Sequence, residues 1–238
     1  MKKLGIIGGL GPLASAHFYS LITKMSKAET DQEHMEIILY SKPSIPDRTS
    51  FILGKSDANP LFDMLEVGRM LERMDAAMLA IPCITAHYFH EELERGINIP
   101  VLHAIRETAV YLKNAGVSKV GILATDGTVS SGLFEKILSE YGIDTVCPSH
   151  SGQSKVMDII YRQVKTGRKG NLDDLNEVGR ELFDNGAEVN LLGCTELSIL
   201  KRDYELSAGY LDVMEVLARK AVLECGIFDY QYDKLITG

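Results

Sequence analysis

The chain has 238 residues, of which 45% are hydrophobic and 24% are charged. This composition is typical of one large or two small globular domains and excludes a disordered or low-complexity chain. With 25 Lys and Arg against 33 Asp and Glu, the net charge is -8, which gives no general attraction for nucleic acid or an anionic membrane surface. We therefore expect neither partner, no membrane span and, since the N-terminus shows no long apolar signal segment, a cytoplasmic location.

Short apolar runs alternate with amphipathic stretches along the whole chain. Turn-forming Gly, Pro, Asn and Asp residues bound the apolar runs, as they commonly bound buried strands. The predicted strands cover 4–7, 37–40, 77–81, 101–102, 120–124, 144–147 and 189–192. The predicted helices cover 13–27, 60–74, 86–95, 104–114, 130–141, 154–166, 172–185 and 212–225. This alternation predicts an α/β fold with mainly parallel sheets.

The sequence contains an internal repeat. Residues 3–15 align with residues 119–131 at an offset of 116. Later in each half, an apolar strand ends in a cysteine motif, Pro82-Cys83-Ile84-Thr85 in the first half and Gly193-Cys194-Thr195 in the second. We therefore predict two similar, pseudo-symmetric α/β domains, each of which contributes one cysteine at the end of a strand.

A glycine-rich loop follows the first predicted strand. The spacing Gly9-x-Gly11-x-x-Ala14 is shared with dinucleotide-binding loops. However, the second strand ends at residues 40–42 without a ribose-binding acid, and Pro12 removes an N–H group that a pyrophosphate would use. We therefore expect the loop to present backbone N–H groups to a smaller anion such as a carboxylate.

Cys83 and Cys194 each follow an apolar strand and precede a predicted helix start. Open α/β sheets bind ligands at the carboxyl ends of their strands, and a helix N-terminus favours a thiolate. Thr85 and Thr195 are expected to cap those helices or to contact a ligand. Two opposed thiols suit one reaction especially well, because one removes a proton from carbon while the other adds a proton to the opposite face. Such a pair inverts a stereocentre and needs no cofactor.

Several other residues are candidates for binding or acid–base roles. Arg48 lies in a predicted turn, where it either grips a carboxylate or is an ordinary solvated cation. Lys165 closes a helical segment, where a cation is also favoured electrostatically. His87, His90 and His103 are candidate bases, and His87 lies one helical turn after the first site cysteine, where it is a candidate to orient or charge that thiol. The four cysteines contain no C-x-x-C pair, so neither disulfides nor zinc is expected.

Five motifs in chain order resemble the cofactor-independent aspartate/glutamate racemase superfamily, and within it the aspartate racemase branch. They are Gly5–Ala14, Ile45–Thr49, Pro82–His87, Ala124–Thr128 and Gly193–Glu196. The resemblance implies two α/β domains, residues 1–104 with 212–238 and residues 105–211, with the active site in the cleft between them. It further implies a homodimer that racemises a small anionic amino acid, L-aspartate to D-aspartate or also glutamate, without pyridoxal phosphate and without metal.

The resemblance also assigns residues to the site. It implies that Cys83 and Cys194 are the acid–base pair and that seven residues contact the substrate: Leu10, Arg48, Ile84, Thr85, Lys165, Thr195 and Glu196. The sequence departs from the family at Ile84, where an asparagine commonly contacts the amino-acid head, and at Ser41-Lys42, where the branch commonly has asparagine. Two alternatives therefore stay open: an isomerase or decarboxylase of a small dicarboxylic acid, and a catalytically weak relative that binds ligand.

Overall fold

Two parallel sheets form the framework of the protein. The computed structural model describes residues 2–238. Its strands are β1 (Leu4–Gly8), β2 (Ile37–Ser41), β3 (Met78–Ala80), β4 (Lys119–Leu123), β5 (Asp144–Val146), β6 (Val189–Leu192) and β7 (Tyr210–Asp212). The first sheet has the order β2-β1-β3 and the second has the order β5-β4-β6-β7. The predicted α/β class with parallel sheets is confirmed.

Helices connect the strands and cover both sheets. They are α1 (Pro12–Met25), α2 (Arg48–Ile52), α3 (Leu61–Arg73), α4 (His90–Gly96), α5 (Ala104–Asn114), α6 (Asp126–Ser130), α7 (Leu133–Ser139), α8 (His150–Met157), α9 (Leu172–Asp184), α10 (Thr195–Asp203) and α11 (Val213–Cys225). Pro12 is the first residue of α1, where its missing N–H is not needed. Gly226, with a φ of 74°, ends α11 in the left-handed conformation. Over residues 2–238, none of these helices has both the length and the apolar character needed to cross a bilayer.

The structure differs from the predicted elements in several places. Val101 forms only a single bridge, with Leu79, because the chain enters α5 three residues later. The helix predicted at 86–95 is a 3₁₀ segment followed by α4, and the helix predicted at 130–141 is divided between α6 and α7 near Gly132. The short elements α2 and β7 were missed, whereas the helix start predicted after Cys194 is confirmed by α10. Five or fewer residues, as in α2 and β7, are too few to show a period in the sequence.

The two sheets repeat the same topology. Leu4 pairs with Met78 and Val120 pairs with Val189, so β1 meets β3 in the same register as β4 meets β6. The bridge at Val101 holds the place in the first sheet that β7 holds in the second. The internal repeat is therefore a structural repeat, with β1–β3 in the first half of the chain and β4–β7 in the second half.

The core is divided by the sheets into a central layer and two outer layers. Neighbouring residues on a strand face opposite sides, so Ile6 and Ile122 pack in the central core while Ile7 and Leu123 pack in the outer cores. The central layer contains α1, α5, α7 and α11. Within this layer, α5 from the first half of the chain packs on α7 of the second half. The C-terminal helix α11 returns to the first half and packs on α1. The domain boundaries predicted above stay a prediction.

We expect Gly9→Ala to lower the free energy of unfolding by about 2–4 kcal/mol. Gly9 follows β1 with a φ of 89°, and a Cβ there would meet the backbone of Lys42. Gly54→Ala is the matched control, because Gly54 has a φ of 64° but no atom within 4 Å of the added carbon, and we expect it to lose about 1 kcal/mol. Urea unfolding followed by circular dichroism measures both. Equal losses of unfolding free energy in the two variants would show that the close approach of Gly9 to the Lys42 backbone does not affect stability.

Candidate active site

Cys83 and Cys194 lie just beyond the carboxyl ends of β3 and β6. Each is the residue immediately before a helical segment, a 3₁₀ helix over Ile84–Phe89 in the first half and α10 in the second. Both side chains are buried, with 9% of Cys83 and 6% of Cys194 exposed. The repeated topology therefore places the two thiols at equivalent points of the two sheets.

Both cysteines line one small cavity, which has a volume of about 10 Å³ and accommodates about one water molecule. The cavity brings together all nine residues predicted for the site. These are Leu10, Arg48, Cys83, Ile84, Thr85, Lys165, Cys194, Thr195 and Glu196. Four further residues in its wall were missed: Asp47, Thr49, Thr125 and Tyr161. We call this space the cysteine cavity.

A larger pocket of about 400 Å³ adjoins the cysteine cavity. This outer pocket has the volume of a typical small-ligand site. Four charged side chains line both spaces: Asp47, Arg48, Lys165 and Glu196. These side chains therefore form the boundary between the outer pocket and the two thiols, and a ligand that reaches the thiols from the outer pocket must pass between them.

Arg48 is a buried cation with one unused donor. Its Nη1 donates to the carbonyl of Pro46 at 2.9 Å, and its Nη2 donates to the carbonyl of Leu10 at 3.4 Å. Burial alone would lower the pKa of Arg48, but neighbouring acidic groups, with Cys83 first among them, raise it overall. The buried Nε has no hydrogen-bond partner within residues 2–238. Arg48 therefore keeps a charged donor that suits a carboxylate.

Asp47, Tyr161 and Lys165 form a group of contacts across the cleft. Tyr161 Oη donates to both carboxylate oxygens of Asp47, at 3.2 and 3.4 Å. Lys165 Nζ lies 3.7 Å from Asp47 Oδ2 and 3.8 Å from the centroid of the Tyr161 ring. Burial alone would raise the pKa of Asp47, but the N–H of Ser50 and the charge of Lys165 lower it overall. The ionised carboxylate thus links the two halves of the chain.

The segment that carries Tyr161 and Lys165 is not the regular helix predicted over 154–166. It begins as α8 at His150, continues as a π-helical turn over Asp158–Gln163, and ends in a short 3₁₀ turn. Such π-helical turns are frequent at functional sites. Nothing in the spacing of apolar residues marks this turn, so Lys165 is assigned to the site only through the family resemblance, and Tyr161 is not predicted.

Glu196 determines the environment of Cys194. The Cys194 thiol donates to Glu196 Oε2 at 2.9 Å, and Thr195 Oγ1 donates to the same oxygen at 3.1 Å. Burial raises the pKa of Cys194, and the Glu196 carboxylate raises it further, to well above its ordinary value. Cys194 is therefore a thiol at neutral pH. The expectation that the helix N-terminus lowers the pKa of this thiol is wrong. Of the two roles expected for Thr195, capping is wrong, because no side chain caps α10, and contact with a ligand stays a prediction.

Thr85 belongs to a buried network of hydroxyl groups beside Cys83. Thr125 Oγ1 lies 3.1 Å from the hydroxyls of both Thr85 and Thr128, and Thr49 Oγ1 donates to it at 3.2 Å. Thr128 also donates to Thr85 at 2.9 Å. Thr85 therefore does not cap a helix. Its hydroxyl instead connects the first half of the chain to Thr125 and Thr128 of the second half.

Three other residues singled out in the sequence lie near the cavity. His87 is absent from the wall of the cysteine cavity as described, and its Nε2 lies 3.1 Å from the carbonyl of Ile81, so it does not orient the thiol directly. The Gly9 N–H donates to Ser15 Oγ at 3.0 Å, so this N–H is already used, while anion binding by the rest of the glycine loop stays a prediction. Ile84 is 1% exposed and packs in the central core as well as in the cavity wall.

Comparison with known proteins identifies the family. Residues 7–221 match the model of the Asp/Glu/hydantoin racemase family, and the chain belongs to it. The broad specificity amino-acid racemase RacX of Bacillus subtilis (strain 168) is 24% identical over 225 residues, which is 92% of this chain and 96% of RacX. The predicted resemblance is confirmed, and the chain is an isomerase of the racemase class.

Solved structures agree with this assignment. The aspartate racemase of Picrophilus torridus superposes with a TM-score of 0.82 and 31% identity, covering 98% of each chain. An aspartate racemase homologue from Pyrococcus horikoshii OT3 superposes with a TM-score of 0.74 and 26% identity, covering 94% of this chain and 99% of that chain. The two-sheet architecture described above is therefore the racemase fold.

We expect Glu196→Gln to lower the pKa of Cys194, because the substitution removes the neighbouring negative charge while burial remains. Titration of thiolate absorbance measures this pKa in a variant whose other three cysteines are alanine. Glu205→Gln is the control, since Glu205 is exposed and lies outside both the cysteine cavity and the outer pocket. An unchanged pKa in Glu196→Gln would mean that burial alone holds the proton on Cys194.

Proposed function

We propose that this protein racemises an acidic amino acid, with aspartate as its main substrate and glutamate as a second, by proton transfer between two thiols and without a cofactor. The observation that carries the proposal is that Cys83 and Cys194 line one cavity whose wall also contains two cations, the buried Arg48 and the partly exposed Lys165. The similarity to an aspartate racemase over almost the whole chain supports an acidic substrate. RacX, a broad specificity racemase, makes non-acidic amino acids necessary controls.

The two cations match the two carboxylates of aspartate. Arg48 offers its free Nε–H. Burial alone would lower the pKa of Lys165, but Glu196 and Cys194 raise it overall, so its ammonium group stays charged. A cation at the α-carboxylate also stabilises the negative charge that develops when the α-proton leaves. We therefore assign Arg48 and Lys165 to the two ends of the substrate.

The unlike surroundings of the two thiols assign their roles in the substrate-free enzyme. The buried guanidinium of Arg48 lies near Cys83, which we therefore assign as the base, while Cys194 holds its proton and is assigned as the acid. The Cys83 sulfur takes the α-proton and leaves the electron pair on the substrate, delocalised into the α-carboxylate. The Cys194 S–H then gives its proton to the opposite face of the α-carbon. Cys83 ends as a thiol and Cys194 as a thiolate, and the reverse reaction exchanges these roles.

Substrate binding requires the cysteine cavity to open. A space of about 10 Å³ is far smaller than an amino acid, whereas the outer pocket of about 400 Å³ can hold one. The contacts of Asp47 with Tyr161 and Lys165 close the boundary between the two spaces. We infer that the segment carrying Tyr161 and Lys165 moves away from Asp47 when the substrate enters and closes over it afterwards, which excludes water from the reacting atoms.

Solvent exchange followed by NMR tests the proposed activity directly. The protein is incubated in D₂O, reduced and without added cofactor, with each enantiomer of aspartate and glutamate and with L-alanine and L-lysine as non-acidic controls. We expect loss of the α-proton signal of aspartate together with appearance of the other enantiomer on a chiral column. Exchange confined to the non-acidic amino acids would contradict the substrate assignment, and no exchange with any amino acid would contradict racemase activity.

We expect Cys83→Ala and Cys194→Ala each to abolish racemisation in both directions, because each direction needs one base and one acid. Cys147→Ala is the matched control and should retain wild-type turnover, since Cys147 is exposed and lies outside the cavity. Initial rates are measured from each aspartate enantiomer by circular dichroism. Near wild-type turnover in either single variant would overturn the two-thiol mechanism.

We expect Arg48→Lys to lower kcat/KM for aspartate by about 10- to 100-fold, the loss that follows from removing a charge-assisted hydrogen bond. Lysine keeps the charge but cannot hold the Pro46 and Leu10 carbonyls while also offering a donor to the substrate. Arg162→Lys, on an 84% exposed side chain, controls for a general effect of the exchange. Equal kcat/KM in the two variants would remove Arg48 from the site.

A further inference from the structure

Three histidines lie together beside the segment that carries Cys83. His87 is in the 3₁₀ segment, His90 begins α4, and His103 precedes α5. One ring nitrogen from each histidine lies within 4.8 Å of the other two. The wall residues described for the cysteine cavity and the outer pocket do not include them. The racemase mechanism therefore leaves this histidine cluster without a role.

Local geometry explains why the rings converge. A 3₁₀ helix has three residues per turn, so side chains at positions i and i+3 are eclipsed. The rings of His87 and His90 are accordingly stacked, with an interplanar angle of 16° and centroids 5.9 Å apart. The His103 ring approaches from the start of α5, with its centroid 5.2 Å from His87 and 4.2 Å from His90.

The outer nitrogens of the first two rings are already fixed by backbone carbonyls. His87 Nε2 lies 3.1 Å from the Ile81 carbonyl, and His90 Nε2 lies 2.9 Å from the Val101 carbonyl. A carbonyl can only accept, so both Nε2 atoms carry the hydrogen and both Nδ1 atoms present a lone pair. His87 Nδ1 is buried and has no hydrogen-bond partner within residues 2–238. Histidines that bind metals typically show this arrangement of one anchored and one free nitrogen.

The charges around the cluster also permit a cation. Burial lowers the pKa of His87 to about 3 and that of His103 to about 2, and it lowers the pKa of His90 as well. All three rings are therefore neutral at physiological pH, which is the form that binds metals. Glu94 Oε2 lies 3.5 Å from His90 Nδ1 and supplies a negative charge, while Arg106 is the opposing positive charge near His103.

We propose that His87, His90 and His103 bind one divalent transition-metal ion such as Zn²⁺, with the Glu94 carboxylate or a water molecule as the fourth ligand. Three imidazoles and one oxygen are a common donor set for Zn²⁺. Zn–N bonds of about 2.0–2.1 Å require the three nitrogens to draw together by up to about 1.5 Å. Coordination through His103 Nε2 moves its hydrogen to Nδ1 and breaks the 3.3 Å bond from the Arg106 N–H.

The ion would have a structural role. It would connect the segment after Cys83 to the start of α5 and would replace the missing partner of His87 Nδ1. Because the metal binds the folded protein, it raises the unfolding temperature by mass action. His103 is only partly buried, which provides a path for the ion to enter. The two thiols are not ligands of this metal site, so a test of zinc binding is independent of a test of the proposed racemase activity.

Calorimetric titration with Zn²⁺ alone tests the site. The protein used is the double variant Cys83→Ala/Cys194→Ala, because the cavity thiols can themselves bind zinc. We expect one Zn²⁺ per chain in this background and an increase in the unfolding temperature. Adding His103→Asn should weaken binding by at least about 100-fold, since asparagine keeps the position before α5 capped but is a poor zinc ligand. His150→Asn, on an exposed histidine, is the control and should bind normally.

Two results would overturn the proposal: no Zn²⁺ binding by the double variant, or equal affinity with and without His103→Asn. If His103→Asn does not fold, His90→Gln replaces it. An unchanged Zn²⁺ affinity in that variant would also overturn the proposal. Co²⁺ provides a spectroscopic check in the wild-type protein. We expect visible absorption bands without the near-ultraviolet band of cobalt–sulfur bonds, and a spectrum dominated by that band would place the metal at the cysteines instead.

Discussion

The packing of α5 and α11 between the two sheets is the constraint on which the site depends. These helices contact each other, and they also contact α7 and α1, so one apolar core is shared by both halves of the chain. A densely packed core allows little relative movement. The sheets are therefore held so that Cys83 and Cys194, which lie just beyond equivalent strands, line a single cavity. Proton transfer to opposite faces of one carbon requires the two thiols to stay fixed on opposite sides of that cavity.

The fold is pseudo-symmetric, but the electrostatics are not. Cys83 lies near a buried guanidinium, whereas the Cys194 thiol donates to a carboxylate. Burial amplifies both effects, because charges interact more strongly away from water. Two chemically identical side chains thereby acquire different roles in the proposed mechanism. Lys165 and Arg48 compensate the negative charges of Glu196 and Asp47 before a substrate arrives.

This site must hold the two thiols in fixed positions and must also admit a substrate. The strands and the hydroxyl network around Thr125 hold the thiols in place, while the ion pair of Asp47 with Lys165 joins the two sides of the entrance. The entrance contacts are few and partly exposed, so they can break at lower free energy than the core contacts. The histidine cluster lies on the rigid side, beside the Cys83 segment, where added stiffness would not impede the entry of a substrate.

The sequence by itself determined the elements whose signals are local. Apolar runs and turn residues located β6 and α5 to the residue, and the repeated motifs identified both cysteines. Only the tertiary structure decided the rest. The contact between Asp47 and Tyr161 joins residues that are distant in the chain, and the convergence of the three histidines depends on a 3₁₀ turn that no periodicity marks. The direction of the pKa shift of Cys194 was expected wrongly, because burial and a carboxylate outweigh the nearby helix N-terminus, and both of these are products of packing.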